Sequence, residues 1–146
     1  MAVEIVRETS APVGRVWSVL TDWPRHGAHV PLTRLTVTGP PGVGQEIDAA
    51  TRLGPFAFHD VMRVDEWEPP TDGSAGHVVL TKIGRVLSGS ARIEVAPHGS
   101  GARVAWAELV RPRPDLLGRA VGPIADVAAR VLFGRTVDGL LREAAE

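Results

Sequence analysis

The chain changes its hydrophobic rhythm several times, and each change marks a different kind of element. At the start Val3, Ile5 and Arg7 alternate with Glu4 and Val6, the two-residue period of a short strand. Val13, Val16, Trp17 and Leu20 then fall three and four residues apart, on one face of an amphipathic helix. Ser10 is placed to cap that helix, and Pro12 suits its first turn. Asp22-Trp23-Pro24 breaks it and opens a second short helix that ends near Val30-Pro31.

From Leu35 the two-residue rhythm returns. Leu35 and Val37 share a face, and Gly39-Pro40-Pro41-Gly42 closes that segment. Ile47, Ala49, Thr51 and Leu53 form the next apolar face. After the turn at Gly54-Pro55 comes the set Phe56, Phe58, Asp60, Met62 and Val64. Pro69-Pro70 ends this strand, because neither proline can donate to a ladder. His77 to Leu87 and Gly89 to Val95 read as two more strands, joined near Leu87-Ser88. His98-Gly99-Ser100-Gly101 is a hairpin turn. Val104, Trp106, Glu108 and Val110 are the last alternating run before Arg111-Pro112-Arg113-Pro114.

The C-terminal stretch is helical again but changes sides. Leu117, Val121, Ile124, Ala128 and Val131 make one apolar stripe, whereas Phe133, Val137, Leu140, Leu141 and Ala144 make another about half a turn away. The spacing predicts a helix from about Pro123 to Ala145. Its second half grips the core, and Gly134 at the crossover suits a bend. The alternative is a straight helix whose first stripe is covered by the two short helices or by a second copy of the chain. One strand, two short helices, about six strands in antiparallel hairpins and a long helix make an α+β domain spanning residues 1–146.

Composition narrows the chemistry. The 146 residues carry a net charge of -1, which gives no electrostatic case for nucleic acid. No apolar run is long enough for a membrane span, and the N-terminus is unlike a signal peptide. The absence of cysteine excludes disulfides and thiolate sites and fits a cytoplasmic protein. No glycine-rich phosphate loop, hydrolytic triad or cofactor motif is present. His26 and His29 are spaced for a metal but have no third ligand, so no metal is expected.

Two carboxylates stand out because each lies on the apolar parity of its strand. A carboxylate in a core must pair, raise its pKa or face a cavity. Glu108 therefore either pairs internally, with Arg7 as the first partner, or acts as a cavity acid or base. Asp60 either faces inward with it or, with a one-residue slip, is exposed. Trp17, Trp67 and Trp106 read as core or cavity wall, and Trp23 as lining an entrance beside the short helices. Arg85 and Arg92 are surface charges unless one enters a cavity to orient a ligand carbonyl or carboxylate.

The chain resembles the START-like (SRPBCC) superfamily, and within it the polyketide cyclase/dehydrase and lipid-transport group. The resemblance is carried by Ala11-Pro12-Val13 through Val16-Trp17, Thr21-Asp22-Trp23-Pro24, Val64-Asp65-Glu66-Trp67-Glu68-Pro69-Pro70, Ile93 to Gly99 and Val104-Ala105-Trp106-Ala107-Glu108. It implies a helix-grip, with a curved seven-stranded antiparallel sheet around the long C-terminal helix and an apolar cavity between them. Members bind lipids, sterols or polyketides, and some catalyse cyclisation or dehydration.

On that reading Phe58, Met62, Trp106, Ile124 and Ala128 line the cavity, with Trp17, Asp60 and Arg85 as further ligand contacts. The expected function is binding of a small hydrophobic molecule. The alternatives are a polyketide cyclase or dehydrase using Glu108 for proton transfer, and an interaction module that pairs through the last helix, as in a homodimer. The chain lacks tyrosine, so a cyclase site built on a phenol has no counterpart in it.

Overall fold

A computed structural model describes the backbone of residues 1–112 and 115–146 and the side chains of residues 1–112 and 127–146. In chain order the elements are β1 (Ala2–Thr9), α1 (Val13–Leu20), α2 (Trp23–His26), β2 (Thr33–Thr38) and β3 (Glu46–Leu53). There follow β4 (Phe56–Glu68), β5 (Gly76–Lys82), β6 (Leu87–His98), β7 (Gly101–Pro112) and α3 (Asp115–Ala145). The strands form one antiparallel sheet in the order β1-β7-β6-β5-β4-β3-β2. The two short helices carry the chain from one sheet edge to the other, and five hairpins then bring it back until β7 pairs with β1.

Local chemistry sets the elements. α1 buries Val16, Trp17, Val19 and Leu20. Its first turn is closed by the Val16 N–H donating to the Pro12 carbonyl at 3.0 Å. Pro12, not Ser10, is the N-cap, and no side chain caps this end. The helix stops at Thr21, whose N–H and hydroxyl both bond the Trp17 carbonyl. In β4 a bulge between Val64 and Glu66 shifts the parity by one. Trp67 rather than Glu66 therefore shares a face with Val78, and it packs edge-on against Trp17 with centroids 5.3 Å apart.

The expected strand from His77 to Leu87 is instead split, because the chain turns at residues 83–86. α3 also differs from expectation. It begins at Asp115 rather than near Pro123 and runs as one helix, so Gly122-Pro123 is not its start. Over residues 127–146 its buried face is continuous. Ala129 and Phe133 lead directly into Val137, Leu140, Leu141 and Ala144, at the three- and four-residue spacing of one helical stripe. No second face is needed in this part of the helix, since Ala128 and Val131 are exposed. Gly134, expected as a bend, sits beneath the Arg7 guanidinium, where a Cβ would lie 3.3 Å from Nη2.

Candidate functional site

Parity along the inner sheet face brings a polar group of side chains together. Lys82 lies opposite Met62 on β4 and Gly89 on β6, and Asp60 is two residues from Met62 on the same face. The Lys82 ammonium donates to Asp60 Oδ2 at 2.5 Å and approaches the Met62 sulfur at 3.7 Å. Its side chain is only 2% exposed. Gly89 adopts a positive φ of 130°, and any Cβ there would run into the Leu109 carbonyl, so glycine is required beside the lysine. On β7 Trp106 and Glu108 complete the group, both buried.

These residues form the sheet wall of a cavity of about 320 Å³. Leu35, Ala49, Thr33 and Thr51 continue the wall across β2 and β3, with Leu87 and Val110 on the other side. The opposing wall is Ala129, Leu132, Phe133 and Thr136 of α3, with His26 and Val30 closing from the short-helix side. That closing segment is latched onto α3. His29 and Arg25 reach Glu143 at 2.8 and 3.1 Å, and their two hydrogen bonds hold the Glu143 carboxyl below its usual range. The His29 ring lies over Gly139, where any Cβ would collide with it.

The electrostatics of the sheet wall are unbalanced. One ammonium faces two carboxyls, and Asp60 Oδ1, Trp106 Nε1 and Glu108 Oε2 are buried with no hydrogen-bond partner among the described residues. Burial pushes the Glu108 carboxyl up from 4.5 to about 7. Lys82 opposes the rise, Asp60 adds to it, and the Trp106 indole favours the carboxylate slightly although its N–H falls short of hydrogen-bond geometry. A carboxyl in this state gives and takes a proton near neutrality. Among the described residues no cluster of three metal-ligating side chains occurs.

A family model described as polyketide cyclase/dehydrase and lipid transport matches residues 1–145. The chain belongs to this family. Among solved structures, the protein TTHA0849 of Thermus thermophilus superposes with a TM-score of 0.80 at 14% identity, covering 99% of this chain and 97% of that one. The ZhuI aromatase/cyclase of Streptomyces sp. R1128 gives a TM-score of 0.70 at 13% identity, with 99% and 93% covered. Norcoclaurine synthase of Thalictrum flavum gives 0.65 at 15% identity, with 100% and 96% covered. At these identities the likeness is one of fold, the helix-grip. No curated protein matches the chain.

Within this family fold the residues singled out from sequence separate into groups. Asp60, Met62, Trp106 and Glu108 line the cavity together. Phe58 shares their sheet face but lies two residues further out and is 44% exposed, outside the lining. Trp17 is buried against Trp67 and faces an outer groove instead. Trp23 is core, not entrance, with its N–H on Gln45 at 3.0 Å. Arg85 is exposed on the β5–β6 turn, and Arg92 pairs on the surface with Glu66 and Glu94. Ala128 points to solvent one residue from the lining Ala129, and the Ile124 side chain lies outside the described residues.

Arg7 does face inward, but at the far end of β1, where it meets Asp138 of α3 at 2.9 Å and not Glu108. The cation beside Glu108 is Lys82. It carried a signal, being the only lysine of the chain and on the parity of Val78 and Leu80. The spacing of His26 to His29 suggests no more than a metal pair, whereas the His26 ring lines the cavity.

Proposed function

We propose that this protein binds a small, mainly apolar molecule that brings a polar group to the Asp60–Lys82–Glu108–Trp106 wall. The observation that carries this reading is the cavity with three buried polar atoms that have no partner among the described residues. Each such atom costs roughly 1–3 kcal/mol unless a partner meets it. Trp106 Nε1 can only donate and Asp60 Oδ1 accepts, so a ligand offering both an acceptor and a donor relieves the cost. Leucine, valine, methionine and phenylalanine side chains supply the apolar remainder of the lining. Native mass spectrometry of the purified protein, followed by extraction, tests the reading. A bound organic species that contacts this wall in a subsequent structure supports it, and a wild-type protein that takes up no apolar compound contradicts it.

A second reading, proton-transfer catalysis of the cyclase or dehydrase kind, is favoured by one feature, the Glu108 carboxyl lifted to about 7 beside the Lys82 ammonium. The Asp60 carboxylate would take the α-proton at its Oδ1, the ammonium would stabilise the developing enolate, and the Glu108 acid would protonate the departing hydroxyl, which leaves as water. Conversion of the hydrate of benzylideneacetone, a β-hydroxy ketone, to the conjugated enone checks this. Turnover lost in Glu108→Gln with the fold intact supports it, and turnover no faster than in buffer rejects it for this substrate class.

A further inference from the structure

His26 differs from the other four histidines. His29, His59, His77 and His98 each face a carboxylate, at 2.8, 2.9, 3.1 and 3.4 Å respectively. His26 faces none among the described residues. It ends α2 with its ring turned inward, buried and tilted against Trp23 and Trp106 at centroid distances of 5.4 and 5.5 Å. Its Nε2 lies 2.8 Å from the Leu20 carbonyl oxygen.

That contact determines the tautomer. A carbonyl oxygen only accepts, so the ring proton is on Nε2. Burial favours the neutral ring, which leaves Nδ1 with a lone pair and no proton. Nδ1 has no hydrogen-bond partner among the described residues, and the ring lines the cavity. The cavity lining thus offers an acceptor at His26 beside the Trp106 indole, whose N–H is a donor.

Resting on the reading that this cavity binds a ligand, we propose that His26 is a specificity residue, its Nδ1 accepting a hydrogen bond from a ligand hydroxyl or N–H. A carbonyl or ether oxygen at the same place would set lone pair against lone pair and be disfavoured. The site therefore selects hydroxyl-bearing planar molecules over their O-alkylated or keto counterparts, and Trp106 and Phe133 provide the flat apolar surface beside it.

The probes are β-naphthol and its methyl ether, which differ only in the donor. Each is titrated by displacement of the uncharged dye phenylnaphthylamine. Wild-type protein is expected to prefer the naphthol by roughly tenfold, and His26→Phe to lose most of that preference while keeping its affinity for the ether. Nitrogen NMR of labelled histidine gives a second readout that needs no substitution. The unprotonated Nδ1 resonance of His26 moves on adding the naphthol and stays in place with the ether. If both compounds bind while Nδ1 is unmoved and the preference survives in His26→Phe, the assignment of His26 is overturned and the binding reading stands. If neither compound nor the dye binds folded wild-type protein, both are overturned.

Discussion

Along β5 one sheet face carries two interiors. Val78 and Leu80 are fully buried hydrocarbon, part of a core closed by Val16 and Leu20 of α1 and by Val137, Leu140 and Leu141 of α3. Lys82, two residues further along, is just as inaccessible, yet its neighbours are Asp60, Met62 and a cavity. β7 repeats the change, running from Val104 through Trp106 to Glu108. Depth alone does not separate the halves. They differ in what α3 offers: large aliphatic side chains from Val137 onward, and Ala129, Phe133 and Thr136 in the two turns just before. The closed half contributes stability, and the open half uses some of that stability to keep charges under cover.

The sharpest way to break this comparison is Lys82→Met. The substitution leaves the buried Glu108 and the part-buried Asp60 without their cation and should cost ~3–5 kcal/mol, read from the denaturant midpoint. A loss below about 1 kcal/mol would mean the cluster is not buried as described. Leu140→Ala probes the closed half. It should cost roughly 2–5 kcal/mol while leaving ligand affinity per folded molecule unchanged, because Leu140 lies away from the cavity lining.

Glu108→Gln sharpens the electrostatic side through pH. A carboxyl raised from 4.5 to about 7 contributes stability that is full below about pH 4.5 and lost as pH rises to about 7. His26, lowered from 6.5 to about 4 by burial, has the opposite sign. Its contribution is full above about pH 6.5 and lost as pH falls toward 4. Each amounts to roughly 3 kcal/mol at ~1.4 kcal/mol per pH unit, so in the wild type they largely cancel between those limits. Glu108→Gln should therefore be more stable than wild type at mildly alkaline pH by up to roughly 3 kcal/mol, with the difference vanishing in acid. Equal stability at all pH values would show that Glu108 is solvated. The smallest effect is expected from Val131→Glu. Val131 is 49% exposed, so stability should change by less than ~0.5 kcal/mol; loss of a dimer in sedimentation would show instead that this face meets a second copy.

How much of this was legible in the sequence depended on the kind of signal. Strand parity identified the inward set Asp60, Met62, Trp106 and Glu108, because a two-residue period fixes the face without reference to anything distant. Parity does not say how far along a strand the opposing layer extends, and so Phe58 and Arg7 were placed on the correct face but at the wrong depth. On α3 the expectation fails at Ala128 and Val131, which are as apolar as Ala129 and Leu132, so that only the helix rotation against β1 and β7 decides which pair is covered; the side chains of Leu117, Val121 and Ile124 lie outside the described residues. Lys82 was overlooked because lysine is usually solvated. Its two carboxyl neighbours come from strands 22 residues before and 26 residues after it, a meeting that the sheet register creates.

The central claim is that the space between the sheet and α3 receives an apolar molecule. Titration of phenylnaphthylamine into wild-type protein and into Ala129→Trp, whose indole would fill that space from the helix side, tests it most directly. The account predicts saturable one-to-one fluorescence enhancement in the wild type and at least tenfold weaker binding in the variant, with its unfolding midpoint retained. Equal dye affinity in both folded proteins, or none in either, would contradict it.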